Sequence, residues 1–457
     1  MRSDTLRTLT GAALLLGGCG PSSEVRPGPS GVLPFREDDY PSALAEARER
    51  GLPLFIEVWA PWCHTCRSMK AFVFTDESLR EQAGRFVWLE VDTDKAQNAA
   101  VRRQFPVQAL PTYFVVDPRS EQVILRWIGG ASVAQLGDLL DDAHARFERA
   151  RAGAAPEAAA RTADDLLAQA DLLYGQGRNE EAAQVVERAL AAAGEGWPSY
   201  ARAVEMLLVA RTLEGRNEEG ARLAREALPR LSSTPSVAVV AGAGLECALA
   251  LPDGEAKREL ASFLEDAGRR AAADAAIPMA ADDRSSLYMT LVSARQAARD
   301  SVGARALAEE WAAFLERTAA AAPTPAARTV FDSHRLSACL ELGVPEKALP
   351  FLSRSERDFP DDYNPPARLA AAYRAMRRWD EAIAASDRAI ERAYGPRLLR
   401  ILESRAQIFL DMGDLIGART TLEDAVRRAE ALPEGQRSER TLAGLRKKLE
   451  SVPVVSR

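Results

Sequence analysis

Apolar residues fall along this chain in two rhythms. Up to about residue 150 they come in short, nearly unbroken runs: 52–59, 86–92, 107–117 and 123–128. Consecutive apolar positions at strand length predict strands buried on both faces. Between them, Pro41-Ser42 opens a helix that Gly51 stops, 99–104 reads as a second helix, and 133 to about 149 as the last. Asp117-Pro118-Arg119-Ser120 is turn chemistry between the final two strands. The order is therefore strand–helix, strand, helix, two strands, helix. Beyond Thr162 the spacing becomes helical and alanine-rich, which favours helices throughout the longer C-terminal part.

That helical part repeats itself. Gly177-Arg178-Asn179-Glu180-Glu181-Ala182 returns as Gly215-Arg216-Asn217-Glu218-Glu219-Gly220, and related turns occur at 343–348, 379–382 and 413–418. Ala182 and Gly220 stand 38 apart, Ala348 and Ala382 34 apart, and Ala382 and Ala418 36 apart. A period near 34 with small residues at helix crossings resembles tetratricopeptide repeats. A helix pair cannot bury its apolar stripe alone, so stacked neighbours must share one core. The pattern degenerates between Leu231 and Pro325, though amphipathic stretches continue at 258–270 and 287–299. About seven helix pairs fit the span. Cys247 and Cys339 fall inside helical stretches and read as buried packing residues.

With 457 residues, 47% hydrophobic and 27% charged, the chain has globular composition and room for several domains. Its net charge of −7 supplies no overall basic face, so nucleic acid is not an expected partner. Five cysteines in so long a chain are too few for a disulfide framework. Their positions carry more information than their number.

Arg2 and Arg7 precede a short apolar run, Leu9 to Leu16, and then Gly17-Gly18-Cys19. Eight helical residues span about 12 Å, too little for a hydrocarbon core of about 30 Å. The run resembles the lipobox of bacterial lipoproteins. That resemblance implies removal of residues 1–18, lipid on Cys19, and a periplasmic protein anchored to a membrane. Gly20 stands where that family's inner-membrane retention signal has aspartate, which leaves the outer membrane open. Residues 19–34, rich in proline, glycine and serine, read as a flexible tether.

The chemistry lies in Trp59-Ala60-Pro61-Trp62-Cys63-His64-Thr65-Cys66-Arg67. Two cysteines at i and i+3 on the first turn of a helix face the same way, close enough to bridge. The first lies over unpaired N–H groups at the positive end of the helix dipole, which favours the thiolate that attacks disulfides. A Cys-x-x-Cys pair is also half of a zinc site. That needs two further ligands, and the chain has three histidines and no second such pair.

This segment and the run Leu110-Pro111-Thr112 resemble the thioredoxin-fold active site. The resemblance spans about residues 35–150 and implies an α/β thioredoxin fold, a central mixed sheet flanked by helices. A linker at 151–161, an all-α tetratricopeptide-like solenoid at 162–445 and a tail at 446–457 complete the expected organisation. By the same resemblance Cys63 is the nucleophile and Cys66 the resolving thiol. Pro111 is expected cis beside them, with Trp62, His64, Leu110 and Thr112 along the substrate path. Glu57 falls where thioredoxins place a buried aspartate that takes the resolving thiol's proton, and burial should raise its pKa. His64-Thr65 replaces the common Gly-Pro, and a histidine beside the nucleophile can favour its thiolate. The context through Phe74-Thr75-Asp76-Glu77-Ser78-Leu79 looks closer to the periplasmic reductant branch, which includes the C-terminal domain of the transmembrane electron-relay reductase.

The expected activity is thiol–disulfide exchange with protein thiols and disulfides, reductase rather than oxidase. It uses the Cys63–Cys66 disulfide and no other cofactor or metal, with the repeats docking a protein partner. The alternative is an envelope assembly scaffold or redox sensor in which the repeats carry the function.

Overall fold

The computed structural model describes residues 31–152 and 162–453. The expected signal segment, Cys19, most of the tether and the linker, and residues 454–457 lie outside the described residues. No helix among the described residues is long and apolar enough to cross a membrane.

The first part runs β1 (Arg36–Glu37), α1 (Tyr40–Arg50), β2 (Leu54–Trp59), α2 (His64–Ser68), β3 (Val87–Asp92), α3 (Ala99–Gln104), β4 (Thr112–Val116), β5 (Val123–Ile128) and α4 (Val133–Arg151). The strands form one sheet in the order β1-β3-β2-β4-β5. β1, β3 and β2 are parallel, while β4 runs antiparallel to both β2 and β5. Phe55 and Ile56 show why the β2 run is apolar at every position: neighbouring side chains enter opposite cores. Phe55 packs with Trp88, Tyr113, Met69 and Leu140 beneath α4. Ile56 packs with Leu89, Phe114, Tyr40 and Val101 beneath α1 and α3. Gly51 ends α1 in the left-handed region, φ 64°, and returns its N–H to the Ala47 carbonyl.

Two features escape the apolar pattern. β1 is only two residues long, half-buried and exposed, and carries no run to recognise. α2 passes directly into a π-helical turn, Met69–Val73, where a plain continuation of the helix would be read from sequence.

The second part is helical throughout. Antiparallel pairs are formed by α5 (Ala163–Gly175) with α6 (Asn179–Ala192), α7 (Tyr200–Leu213) with α8 (Asn217–Leu231), α9 (Val237–Leu249) with α10 (Glu255–Ala273), and α11 (Ala281–Ala297) with α12 (Ser301–Ala321). The short α13 (Pro325–Thr329) precedes α14 (Asp332–Glu341), which packs with a 3-10 turn and α15 (Leu349–Asp358). Then come α16 (Asn364–Ala375) with α17 (Trp379–Arg392), α18 (Gly395–Met412) with α19 (Leu415–Ala431), and the closing helix α20 (Glu439–Ser451). Buried alanines at the crossings, such as Ala182, Ala189, Ala382 and Ala389, let the axes approach. α11 starts six residues before the expected 287, because its first turn, with Asp282, is polar yet buried.

The array closes around the sheet domain. α5 covers the free edge of β5, which an open sheet would present to other chains. The approach is close enough that a Cβ at Gly175 would stand 2.5 Å from Val123 Cβ. Buried Asp171 on α5 binds Arg146 of α4 at 2.8 Å and Arg202 of α7 at 2.7 Å, one ionic knot across three helices.

Candidate functional site: a disulfide at a helix start, covered by the repeats

β2 delivers the chain to Cys63, which is the N-cap of α2. Cys63 and Cys66 form a disulfide with Cα atoms 5.3 Å apart, and Cys63 Sγ also accepts the N–H of Cys66 at 3.1 Å. Sulfur at this position receives backbone donors at the positive helix end, the setting that stabilises a thiolate once the pair is reduced. Cys63 keeps 6% of its surface exposed and Cys66 none, so the Cys63 sulfur is the more accessible of the two. The Leu110–Pro111 peptide is cis, and Leu110 packs against the cysteine pair together with Trp59 and Trp62. Thr112 opens β4 and donates its hydroxyl to Ala109 O at 2.7 Å, which holds the loop ahead of Pro111.

Glu57 sits mid-strand and fully buried, opposite Glu90 on β3 and Tyr113 on β4. Its nearest cation is Lys70 Nζ at 3.5 Å, from the π turn, and neither carboxylate oxygen has a hydrogen-bond partner. Lys70 also pairs with Glu90 and lies 3.7 Å from the centroid of Trp59. Burial raises the Glu57 pKa above the ordinary glutamate value, and Lys70 only partly opposes it. The folded state therefore holds this proton more tightly than the unfolded chain. The Glu57 contribution to stability is full at pH below about 4 and is lost as pH rises through the folded value. Glu57→Gln is expected to stabilise the chain on the order of 1 kcal/mol at pH 8 and to change nothing at pH 4. Urea midpoints at the two pH values check this.

His64 packs against the array. Its ring lies 4.1 Å from that of His334 on α14, and its Nε2 is 3.3 Å from both Thr65 Oγ1 and Ser286 Oγ. Burial first, then the Arg368 charge, lowers its pKa to about 4; burial, His64 and Arg368 lower His334 to about 3. Both shifts favour the neutral rings at pH 7. Trp62 donates its indole N–H to Asp94 at 2.9 Å, and burial followed by Asp92 raises Asp94 to about 6.

The repeats supply what sequence reasoning missed. Arg67 binds Asp362 at 2.8 Å and Thr329 at 2.7 Å, Ser68 donates to Asp282 at 2.6 Å, and Asn364 donates to the Pro61 carbonyl at 3.1 Å. Further along, Tyr394 reaches Asp92 at 2.5 Å and Gln436 reaches the Thr93 carbonyl at 3.0 Å. At Gly435 an added Cβ would stand 2.2 Å from Ala99 O, so only glycine lets this loop lie against α3. The partners Asp282, Asn364 and Tyr394 lie at or just before the N-terminal ends of α11, α16 and α18. The array in this structure thus meets the redox loop of its own chain. Arg67→Ala strips two bonds from that contact and leaves Asp362 poorly paired. Reduced Cys63 is then expected to alkylate severalfold faster, as timed iodoacetamide labelling would read.

Among the described residues, no group of three or more histidine, cysteine or acidic side chains could hold a metal ion. The chemistry available is that of the sulfur pair: attack by one thiolate, transfer of the bridge, and release by the second.

A mixed sheet that feeds a disulfide to a helix start opposite a cis-proline defines a thioredoxin fold, here continued by stacked helix pairs. Residues 36–118 match the family model for thioredoxin-like proteins and residues 363–431 that for tetratricopeptide repeats, so the chain carries a thioredoxin-like domain in its first part and tetratricopeptide repeats in its second. Similar curated proteins include the thiol:disulfide interchange protein DsbD of Pseudoalteromonas atlantica, 28% identical over 88 residues, which cover 19% of this chain and 15% of the relative. Thioredoxin M4 of Arabidopsis thaliana chloroplasts is 33% identical over 67 residues, 15% of this chain and 33% of that one. The chain thus spans about a seventh of the length of the interchange proteins it matches. Among solved structures, a tetratricopeptide repeat protein from Parabacteroides merdae aligns with 64% of this chain and all of its own, at 11% identity and TM-score 0.41.

Proposed function

We propose that this chain is a periplasmic thiol–disulfide oxidoreductase, anchored by lipid on Cys19 and working as a reductase of protein disulfides. The observation that carries the activity is the Cys63–Cys66 disulfide at the start of α2, with cis-Pro111 packed through Leu110 against it. In the reducing direction, Cys63 thiolate attacks one sulfur of the client disulfide and expels the other as a thiolate. Cys66, its proton passed to Glu57, then attacks Cys63 Sγ, which forms the bridge seen here and frees the client as a dithiol. A buried carboxylate with a raised pKa suits that proton transfer.

The exchange chemistry is supported by the likeness to interchange proteins, and the anchor by the run Leu16-Gly17-Gly18-Cys19. The deciding experiment is catalysed reduction of a protein disulfide together with the potential of the pair. A value near about −270 mV supports a reductase and one near about −120 mV an oxidase. A redox sensor is the second reading, favoured by the near-complete cover over Cys63. It gains if reduction changes the array's protection against hydrogen exchange while client disulfides are not turned over.

A further inference from the structure

The array and the sheet domain share a cavity of about 80 Å³ that the exchange reaction does not use. It opens between β5 and α7, beside the loop that leads to Pro111. Gln108 on that loop lines it, as does Ile128, which pairs in register with Thr112; Gly129 N–H donates to the Pro111 carbonyl at 2.9 Å. The cavity therefore lies next to the loop and strand end that carry Pro111. Its apolar wall comes from both parts of the chain: Trp127 and Ile128 on one side, Met206, Val209 and Leu213 on the other.

Three of its lining residues carry buried polar atoms without partners. These are Arg126 Nε, Tyr174 Oη and Asn179 Oδ1. Arg126 and Tyr174 are only 4% and 8% exposed, so bulk solvent scarcely reaches these atoms. A polypeptide offers the matching set, one N–H, one C=O and an apolar side chain in each residue. The volume is several times what a water molecule requires and about half of the ~150 Å³ that takes benzene, which favours an aliphatic side chain over an indole. Glu205, also in the lining, is held by burial at a pKa of about 7, so it is about half neutral near pH 7.

We infer that this cavity is a specificity pocket for the polypeptide client of the Cys63–Cys66 exchange. An extended segment passing Pro111 places a leucine- or methionine-sized side chain between β5 and α7, and its backbone meets Tyr174 and Asn179. The inference rests on the oxidoreductase reading and adds that the repeats help to choose the client.

The test uses the full chain, dithiothreitol as reductant, and oxidised peptides that differ only in leucine or aspartate two to four residues after the first cysteine. A small aromatic disulfide serves as a reporter of the exchange itself. The intact chain should favour the leucine peptide about tenfold or more in kcat/KM, through KM. Val209→Trp, which fills the pocket, should raise KM for that peptide alone and leave the reporter rate unchanged. Leu213→Arg, at a position 47% exposed, gives the same readout if the tryptophan variant does not fold. Equal use of both peptides, or equal loss on both in the variants, would overturn the pocket while reporter turnover persists. Absence of reporter turnover by the intact chain would instead overturn the oxidoreductase reading, and the pocket with it.

Discussion

Cys63→Ser is expected to lower catalysed disulfide exchange by at least about 10³-fold, while Cys66→Ser stops after one turnover with the client bound covalently. The two sulfurs are not equivalent. Cys63 caps the helix and keeps some exposure, whereas Cys66 is fully buried one turn deeper. A serine hydroxyl in place of Cys63 is not ionised near neutrality and forms no bridge, so no mixed disulfide arises. A serine in place of Cys66 leaves the first attack intact and removes the sulfur placed to release the client. Non-reducing electrophoresis with mass spectrometry separates the outcomes: no adduct for the first variant, one adduct through Cys63 for the second. An adduct through Cys66 in the Cys63→Ser chain would reverse the assignment.

The largest loss of stability is expected at Asp171, far from the sulfur pair. Its carboxylate is fully buried and satisfies the guanidinium groups of Arg146 and Arg202, both nearly buried themselves. Asp171→Ala leaves two cations without their main partner, a change that typically costs about 3–5 kcal/mol. Asp142 still binds Arg146 at 2.6 Å and approaches Arg202 at 3.4 Å, which places the loss near about 3 kcal/mol. Differential scanning calorimetry of the full 457-residue chain, unfolding as one unit, should show a Tm lower by about 3 °C. Asp171→Asn keeps one acceptor and should lose less.

How much of this was legible depended on where the partners of each residue lie. β2, β3, β4 and β5 announce themselves because both faces are buried, so the strands are apolar throughout. The cysteine pair was legible because its chemistry is local, two sulfurs one helical turn apart. The cis peptide before Pro111 came only through resemblance, since no neighbouring residue encodes it. His64 has a neighbour with no local signature: the ring of His334 packs against it from 270 residues away. Asp282, Asp362 and Asn364 likewise carry no periodicity that points to Arg67 or Pro61. The stretch after Leu231 looked degenerate because α9 is buried on nearly all sides, which erases the polar stripe that marks a repeat helix.

Phe72 and Ala71, on the far side of the π turn, lean on the hydrophobic centre of the helical half, with the Phe72 and Phe331 rings 6.0 Å apart. A fragment cut after Arg151 would bare those groups and hand Arg67, Ser68 and the Pro61 carbonyl to water. Electrochemistry on such a truncated piece would describe a differently hydrated sulfur loop from the one that the whole polypeptide carries. The minimal unit for measuring this protein's chemistry is accordingly the two halves together.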